Sequence, residues 1–492
     1  MAYNHGVHVS EVPTSILPPV QVAAGIPMII GTAPINQADL ANVNKPQLCY
    51  SYAEAVEKFG FAPAKAGVGG LKKFAFSISE FIYSQFALFG VAPVIIVNVL
   101  DPAKHTSSVT TVSVTLNAST GAATVEEEGI LPGSVVLKHG DNTYALDTDY
   151  TLAFDDDGYL VITSIKGASG FKVPVGEALS LTASKLDPSK VTSADVIGGV
   201  SADGATKKGL ELIHECFPRF RLTPGVLLAP GFSGDPEVAA VMAAKADNIN
   251  EHFRCIALVD VPTETVDAYS GVAEWKNNNN VVDPLQVVCW PMLSLSGTVF
   301  HFSTQLAGLI GRTDGENSDV PYVSPSNKTL QMTAAVTASG KEVVLGPDTA
   351  AYLNGQGIVT ALNFIGGWVC WGNRTAAYPG KTDVKDTFIP LKRMFAWVGN
   401  VLIQTYWQRV DYPLNRRQVE TIVDSANIWL NGLAARQFIL GGRVEFLESE
   451  NPTTDLMDGI ARFHVYITPP SPNREIEFIL EYDPQYLETL FG

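Results

Sequence analysis

Apolar residues recur at offsets of three and four between 414 and 440, at Val419, Ile422, Val423, Ala426, Leu430 and Leu433, while Arg416, Glu420, Asp424 and Asn431 fall on another side. A period near 3.6 predicts one helix with a single buried stripe. Gly441 and Gly442 supply the backbone freedom that ends it, and a strand rhythm resumes over 443–447. A further strand is expected over 460–468. Beyond Pro469, Pro470 and Pro472, residues 474–482 read REIEFILEY. Ile476, Phe478, Leu480 and Tyr482 fall on one face and Glu475, Glu477 and Glu481 on the other, the pattern of a strand beside the chain end. The proline hinge leaves it free to pair with its own sheet or with the open edge of another subunit.

Upstream, strand and helix patterns take turns. Strands are expected at 26–33, 46–51, 93–99, 225–229, 254–259 and 285–289, and helices at 52–59, 71–89, 205–216, 235–251 and 265–276. GVLLAP and RCIALVDVP are apolar throughout, as central strands covered on both faces are. The alternation breaks at 104–191, a stretch rich in Thr, Val, Ser and Asp with turn residues at 117–121 and 155–158. It reads as a small β domain inserted in the α/β unit. Six Lys stand against twelve Asp or Glu over 104–195, a formal charge of −6 that suits an outward position. Farther on come an SPSNKTL turn and a polar strand pair within 320–354, a strand over 363–374 and a helix over 391–406. At the other end, Val7, Val9 and Glu11 alternate before Pro13, Pro18 and Pro19, which describes an extended arm that no helix could replace.

The fold class is therefore α/β within an α+β multidomain chain. Its expected parts are an arm at 1–24, a discontinuous α/β domain at 25–102 and 193–355, the β insert at 103–192, a further domain at 356–473 and a second arm at 474–492.

Composition narrows the function. With 492 residues, 46% of them apolar and only 17% charged, the chain can build two or three packed cores. A net charge of −17 argues against direct binding of nucleic acid, which needs a cationic surface. Charge is uneven: residues 374–443 hold ten Lys or Arg against five Asp or Glu, and residues 444–492 hold two against ten. That asymmetry suits polar interfaces as well as a mixed solvated surface. Cys49, Cys216, Cys255, Cys289 and Cys370 are widely spaced in apolar runs and read as buried free thiols made in a reducing cytoplasm. Uncharged stretches at 81–100, 284–311 and 349–373 are each interrupted by Gly, Pro or Asn, so no membrane insertion is expected.

Motifs for catalysis fall short on spacing. GVGGLKK (67–73) matches neither the dinucleotide fingerprint nor the phosphate loop, and HECFP (214–218) lacks the second histidine of a zinc-binding helix. GFSGD (231–235) misses the nucleophile-elbow spacing, so Ser233 and Asp235 read as turn and helix cap. DDDG (155–158) lacks the calcium-loop spacing and closing glutamate, leaving a β-turn. Of the dispersed histidines, His301 is expected within an apolar helix and His464 on a strand. No enzyme and no cofactor are expected.

Four stretches carry a resemblance: WGNRT (371–375), PLNRRQVETIVDSANIWLNGLAARQFILGGRV (413–444), the closing REIEFILEY (474–482) and HGVHVSEVPTSILPPVQVAAGIPMIIGTAP (5–34). Together they resemble the contractile tail sheath proteins of bacteriophages, a family shared with phage-tail-like bacteriocins and contractile injection systems. Residues 104–190 have no counterpart in the shortest members. The resemblance implies a virion subunit, assembled in the host bacterial cytoplasm, that polymerises around an inner tail tube and contracts to drive it through the host envelope. Its implied partners are further copies of itself, the tube protein, and baseplate and tail terminator proteins. Within that frame, Val7, Val9, Val12, Ile476, Phe478, Leu480 and Tyr482 are the expected intersubunit strand residues. Pro13, Pro18, Pro19, Pro469, Pro470 and Pro472 are the expected hinges. The charged helix face of Arg416, Arg417, Glu420 and Asp424 is the expected tube contact, against the plainer reading of a solvated face with an Arg416–Glu420 pair. An α/β ligand-binding protein or enzyme remains the reading from another class.

Overall fold

The computed structural model describes residues 18–20, 22–67, 70–168, 170–202 and 204–491. The expected arm residues Val7, Val9, Val12 and Pro13 lie outside them.

All six strands expected between 25 and 289 form, and with two later strands they make one eight-stranded sheet. Its order is Gln47–Cys49, Val94–Asn98, Pro27–Gly31, Val226–Leu228, Ile256–Asp260, Gln286–Cys289, Ile358–Asn363 and Trp368–Trp371. The inner six run parallel and the two outermost pair antiparallel. Every residue of the 27–31, 94–98, 226–228, 256–260 and 286–289 strands is buried, as a parallel sheet covered by helices on both faces requires. Among those helices, Tyr52–Phe59 matches its expected bounds, and Pro236–Asp247 starts where the Asp235 carboxylate accepts the Glu237 N–H at 2.9 Å.

Four expectations are corrected. Residues 71–89 are not one helix: Lys72–Lys73 is a short strand, and helix begins only at Ser77–Ile82, continuing as a π-helix over Tyr83–Phe89. The helix placed at 205–216 lies later, at Ile213–Phe220, after the strand Lys207–Lys208 and a 3-10 turn. The single strand at 363–374 is a hairpin of Ile358–Asn363 and Trp368–Trp371 that turns through Gly366 and Gly367, whose φ of 82° and 98° suits glycine. It completes the large sheet, so the chain leaves that sheet after 371 rather than at 356. Within 320–354 the strand Ala334–Val336 keeps only a one-bridge local partner at Glu342 and pairs along its length with Met292–Leu295, and the helix Pro347–Gly355 follows.

The insert packs a separate core in which Val114, Leu116, Val125, Leu137, Ile162 and Leu181 are buried between a four-stranded and a three-stranded antiparallel sheet. Its Asp155 turn has the expected form, with Asp155 Oδ1 accepting the Tyr159 N–H at 2.8 Å. This turn seats the insert on the α/β body: Lys65 lies 3.3 Å over the Tyr159 ring, and a Cβ at Gly158 would come within 2.6 Å of Gln37.

The third core, in the C-terminal body, is built from the helices Ile389–Tyr406 and Arg416–Ala435 and the hairpin of Gly441–Glu445 with His464–Thr468. Val22, Ala24 and Val320 enter it from elsewhere in the chain.

Candidate functional site

The 389–406 helix opens with Pro390 in its first turn, where a missing N–H costs nothing. One turn on, Arg393 faces inward. Its guanidinium forms a buried ion pair with Asp314, with Nη1 3.0 Å from Oδ1, and Nη2 also donates to the Ala24 carbonyl at 3.2 Å. Farther along, Trp397 Nε1 donates to the Val22 carbonyl at 2.7 Å, and the Val20 N–H donates to Thr405 Oγ1 at 3.1 Å. Val20, Val22 and Ala24 are thus tied to this helix, and Pro18 and Pro19 before them are exposed. Sequence reading missed Arg393; an arginine on the apolar face of MFAWVGNV was the available signal.

The 416–435 helix is capped by Asn415, whose side chain accepts the Gln418 N–H at 2.9 Å. Its stripe buries Ala426, Leu430 and Leu433, while Val419, Ile422 and Val423 are half-buried. Arg416, Arg417, Glu420 and Asp424 are all exposed, and Arg416 Nε pairs with Glu420 Oε1 at 2.7 Å, the intrahelical pair of the plainer reading.

The same helix governs the hairpin. Asn427 Oδ1 accepts the Val444 N–H at 2.8 Å and its Nδ2 donates to the Val444 carbonyl at 3.1 Å, so one amide takes the place of a neighbouring strand along the outer edge of 441–445. Asn451 does the same for the main chain of Arg462, at 2.7 and 2.9 Å. The far edge of 464–468 pairs with no strand among the described residues.

Pro469 is buried and Pro470 and Pro472 are half-buried, and the segment 470–475 borders a groove whose opposite wall includes Trp371 and Arg374. Arg374 is held there by the Phe388 ring at 3.7 Å and by Thr387 Oγ1 at 2.9 Å. Residues 474–482, expected as a strand, form none within this chain. Phe478 and Leu480 are 84% and 94% exposed, and Ile476 and Tyr482 also face solvent. A strand consists of hydrogen bonds to a neighbour, and the segment reaches none.

Residues of the GFSGD and HECFP runs have structural partners. Ser233 Oγ accepts the Asp260 N–H at 3.0 Å, and His214 Nδ1 accepts the Asn250 N–H at 3.0 Å. His301 precedes the helix Phe302–Glu316 instead of lying within it, and its Nδ1 pairs with Glu80 at 2.8 Å. Burial pulls His301 toward neutrality, but Glu80, with Asp260 and Glu264 beyond it, prevails and holds its pKa at about 9. All five cysteines are free and buried, and burial pushes the Cys49 and Cys216 thiols up to about 12. Among the described residues no helix is long and apolar enough to cross a membrane, and no group of three His, Cys, Asp or Glu is gathered for a metal.

No protein-family profile matches the chain. The tail sheath protein of Burkholderia phage BcepMu is 30% identical over 504 residues, covering 100% of this chain and 99% of its own length. A putative prophage major tail sheath protein of Pseudomonas aeruginosa is 28% identical over 300 residues, 59% of this chain and 73% of that protein. Among solved structures, the sheath complex of the PVC extracellular contractile injection system in its contracted state has a TM-score of 0.58 at 13% identity, over 99% of both chains. A chain of the anti-feeding prophage baseplate gives 0.55 at 16% identity, over 98% of this chain and 100% of that one. At such identities these two structures speak for the fold alone. The full-length phage relative carries the conclusion: this chain belongs to the tail sheath protein family.

Proposed function

We propose that the chain is a mechanical subunit: copies polymerise helically around an inner tail tube, joined by exchanged strands, and the lattice contracts to drive the tube through the host envelope. Linkage runs through residues 7–12 at one end and 475–482 at the other, flexing at Pro13, Pro18 and Pro19 and at Pro469, Pro470 and Pro472. One observation carries this reading. A segment patterned as a strand stands unpaired with its apolar residues in solvent, and among the described residues the C-terminal hairpin also has an unpaired edge. Each backbone hydrogen bond gained on pairing contributes about 0.5–1.5 kcal/mol, so several per arm hold neighbours together while their globular bodies move.

Contraction in this scheme draws on larger subunit interfaces in the final lattice, with no nucleotide consumed. The exposed face of Arg416, Arg417, Glu420 and Asp424 supplies the tube contact, since exposed ion pairs, at about 0–1 kcal/mol each, release readily. Baseplate and tail terminator proteins close the two ends of the polymer. Assembly takes place in the host bacterial cytoplasm and the product belongs to the virion. The full-length relative is a phage protein, which favours a virion tail over the sheath of a bacteriocin-like or injection particle. Negative-stain electron microscopy of the purified chain at rising concentration, alone and coexpressed with tube protein, tests the proposal. Hollow helical tubes are expected, and discrete particles under both conditions would defeat it.

A further inference from the structure

Residues 484–491 fold as a short 3-10 segment in which Tyr486 and Leu490 are 74% and 75% exposed and Leu487 is 47% exposed. A second uncovered apolar surface lies on the C-terminal body. It is a groove of about 730 Å³ between the first turns of the 416–435 helix and the connection between the hairpin strands, lined by Leu414, Val419, Val423, Phe446, Leu456 and Met457. Paired apolar surfaces of this kind, open on a single chain, mark contacts made on assembly.

The hairpin fixes how they can meet. Phe446 directly follows the end of the 441–445 strand, where Glu445 faces His464, so the groove lies at the start of the 464–468 strand. That strand runs away from the groove, and its far edge pairs with no strand among the described residues. A strand added antiparallel to it, the commoner pairing, must run toward the groove. Residues 474–482 span about 30 Å when extended, against about 17 Å for a five-residue edge strand. Laid along the edge in that direction, they carry Asp483 and the residues after it past the hairpin end to the mouth of the groove. Parallel addition would carry them to the opposite end, beside Gly441 and Thr468.

We propose that residues 484–491 of one copy dock in this groove on the copy that receives its strand, with Tyr486, Leu487 and Leu490 supplying the apolar contacts. The inference rests on the strand exchange proposed above. It also places the latch beside Arg416, Glu420 and Asp424, which border the groove, so the tube protein is the competing occupant.

Cysteine crosslinking in full-length tubes tests it, with low background because all five native cysteines are buried. Met457→Cys is combined with Leu487→Cys or Leu490→Cys. Tyr466→Cys paired in turn with Glu475→Cys, Glu477→Cys and Glu481→Cys reports the strand exchange separately. Mild oxidation should give dimers and higher multimers in both series, about tenfold or more above dilute unassembled chain, because assembly raises effective concentration. Multimers in the Tyr466 series alone overturn the latch and leave the strand exchange standing. Multimers in neither series overturn both. Crosslinks confined within one chain, or from Met457→Cys to a cysteine introduced in the tube protein, also overturn the latch.

Discussion

The α/β body and the C-terminal body solve the same problem with different completeness. In the former, a sheet of eight strands is sealed by helices on both faces, and five of its strands bury every residue. In the latter, two helices cover a sheet that has only two strands among the described residues, one edge of which is occupied by Asn427 while the other pairs with none of those residues. The first body is finished by its own chain. The second leaves a strand edge, an apolar groove and the segment 474–491 uncovered among the described residues, the parts that the proposed strand exchange would fill.

Removing the unfinished part should have the largest effect. Truncation after Pro472 is expected to abolish tubes in electron microscopy while the monomer keeps its thermal transition, because residues 474–482 form no strand within the chain. Tubes of normal appearance from this variant would remove the asymmetry between the bodies.

The joint between them comes next. Arg393→Met strands the buried Asp314 carboxylate, and urea denaturation should report a loss of about 3–5 kcal/mol, with Asp314→Asn added to Arg393→Met recovering part of it. If the single variant loses under 1 kcal/mol, roughly the yield of an exposed pair, the joint is not the buried lock described. Asn427→Ala leaves the buried Val444 main chain without its edge partner, for an expected loss of about 1–3 kcal/mol. Asn427→Asp keeps an acceptor for the Val444 N–H but not a donor for its carbonyl, and should fall between.

Within the finished body, His301 contributes a pH dependence. Its folded pKa of about 9 lies above the usual 6.5, so its contribution to stability is complete below about pH 6.5 and is lost as pH rises through 9. Lys276 has the opposite sign: burial lowers it to about 8, so the folded state gains stability as pH climbs from there toward 10.5. The comparison is therefore parent against His301→Gln across pH 6–10, and the variant should lose the declining component. Identical profiles would show that Glu80 does not hold the histidine charged.

Among the side-chain substitutions, the smallest expected change in monomer stability is at the outer helix face. Charge reversal at Arg416, Arg417, Glu420 and Asp424 together should alter it by under about 1 kcal/mol while impairing coassembly with tube protein. Sheath-only tubes should survive, and unimpaired coassembly would free this face of any tube role.

Periodicity and punctuation determined much of this protein. The six strands between 25 and 289, the insert with its own core, and the 416–435 helix with its stripe could all be read from apolar spacing, Gly and Pro, because each depends on which side of a local element meets water. The same local signal erred at 71–89, where Lys72–Lys73 is drawn into a strand by Thr298 and by Lys65–Ala66, and at 363–374, where Gly366 and Gly367 turn the chain into a hairpin. Partner choice belonged to the tertiary structure. Arg393 meets Asp314 across 79 positions, His301 meets Glu80 across 221, and Asn427 occupies a strand edge 17 residues away. Residues 474–482 have a strand's alternation yet no strand, since alternation sets which side would be buried and only a neighbour's hydrogen bonds make the strand.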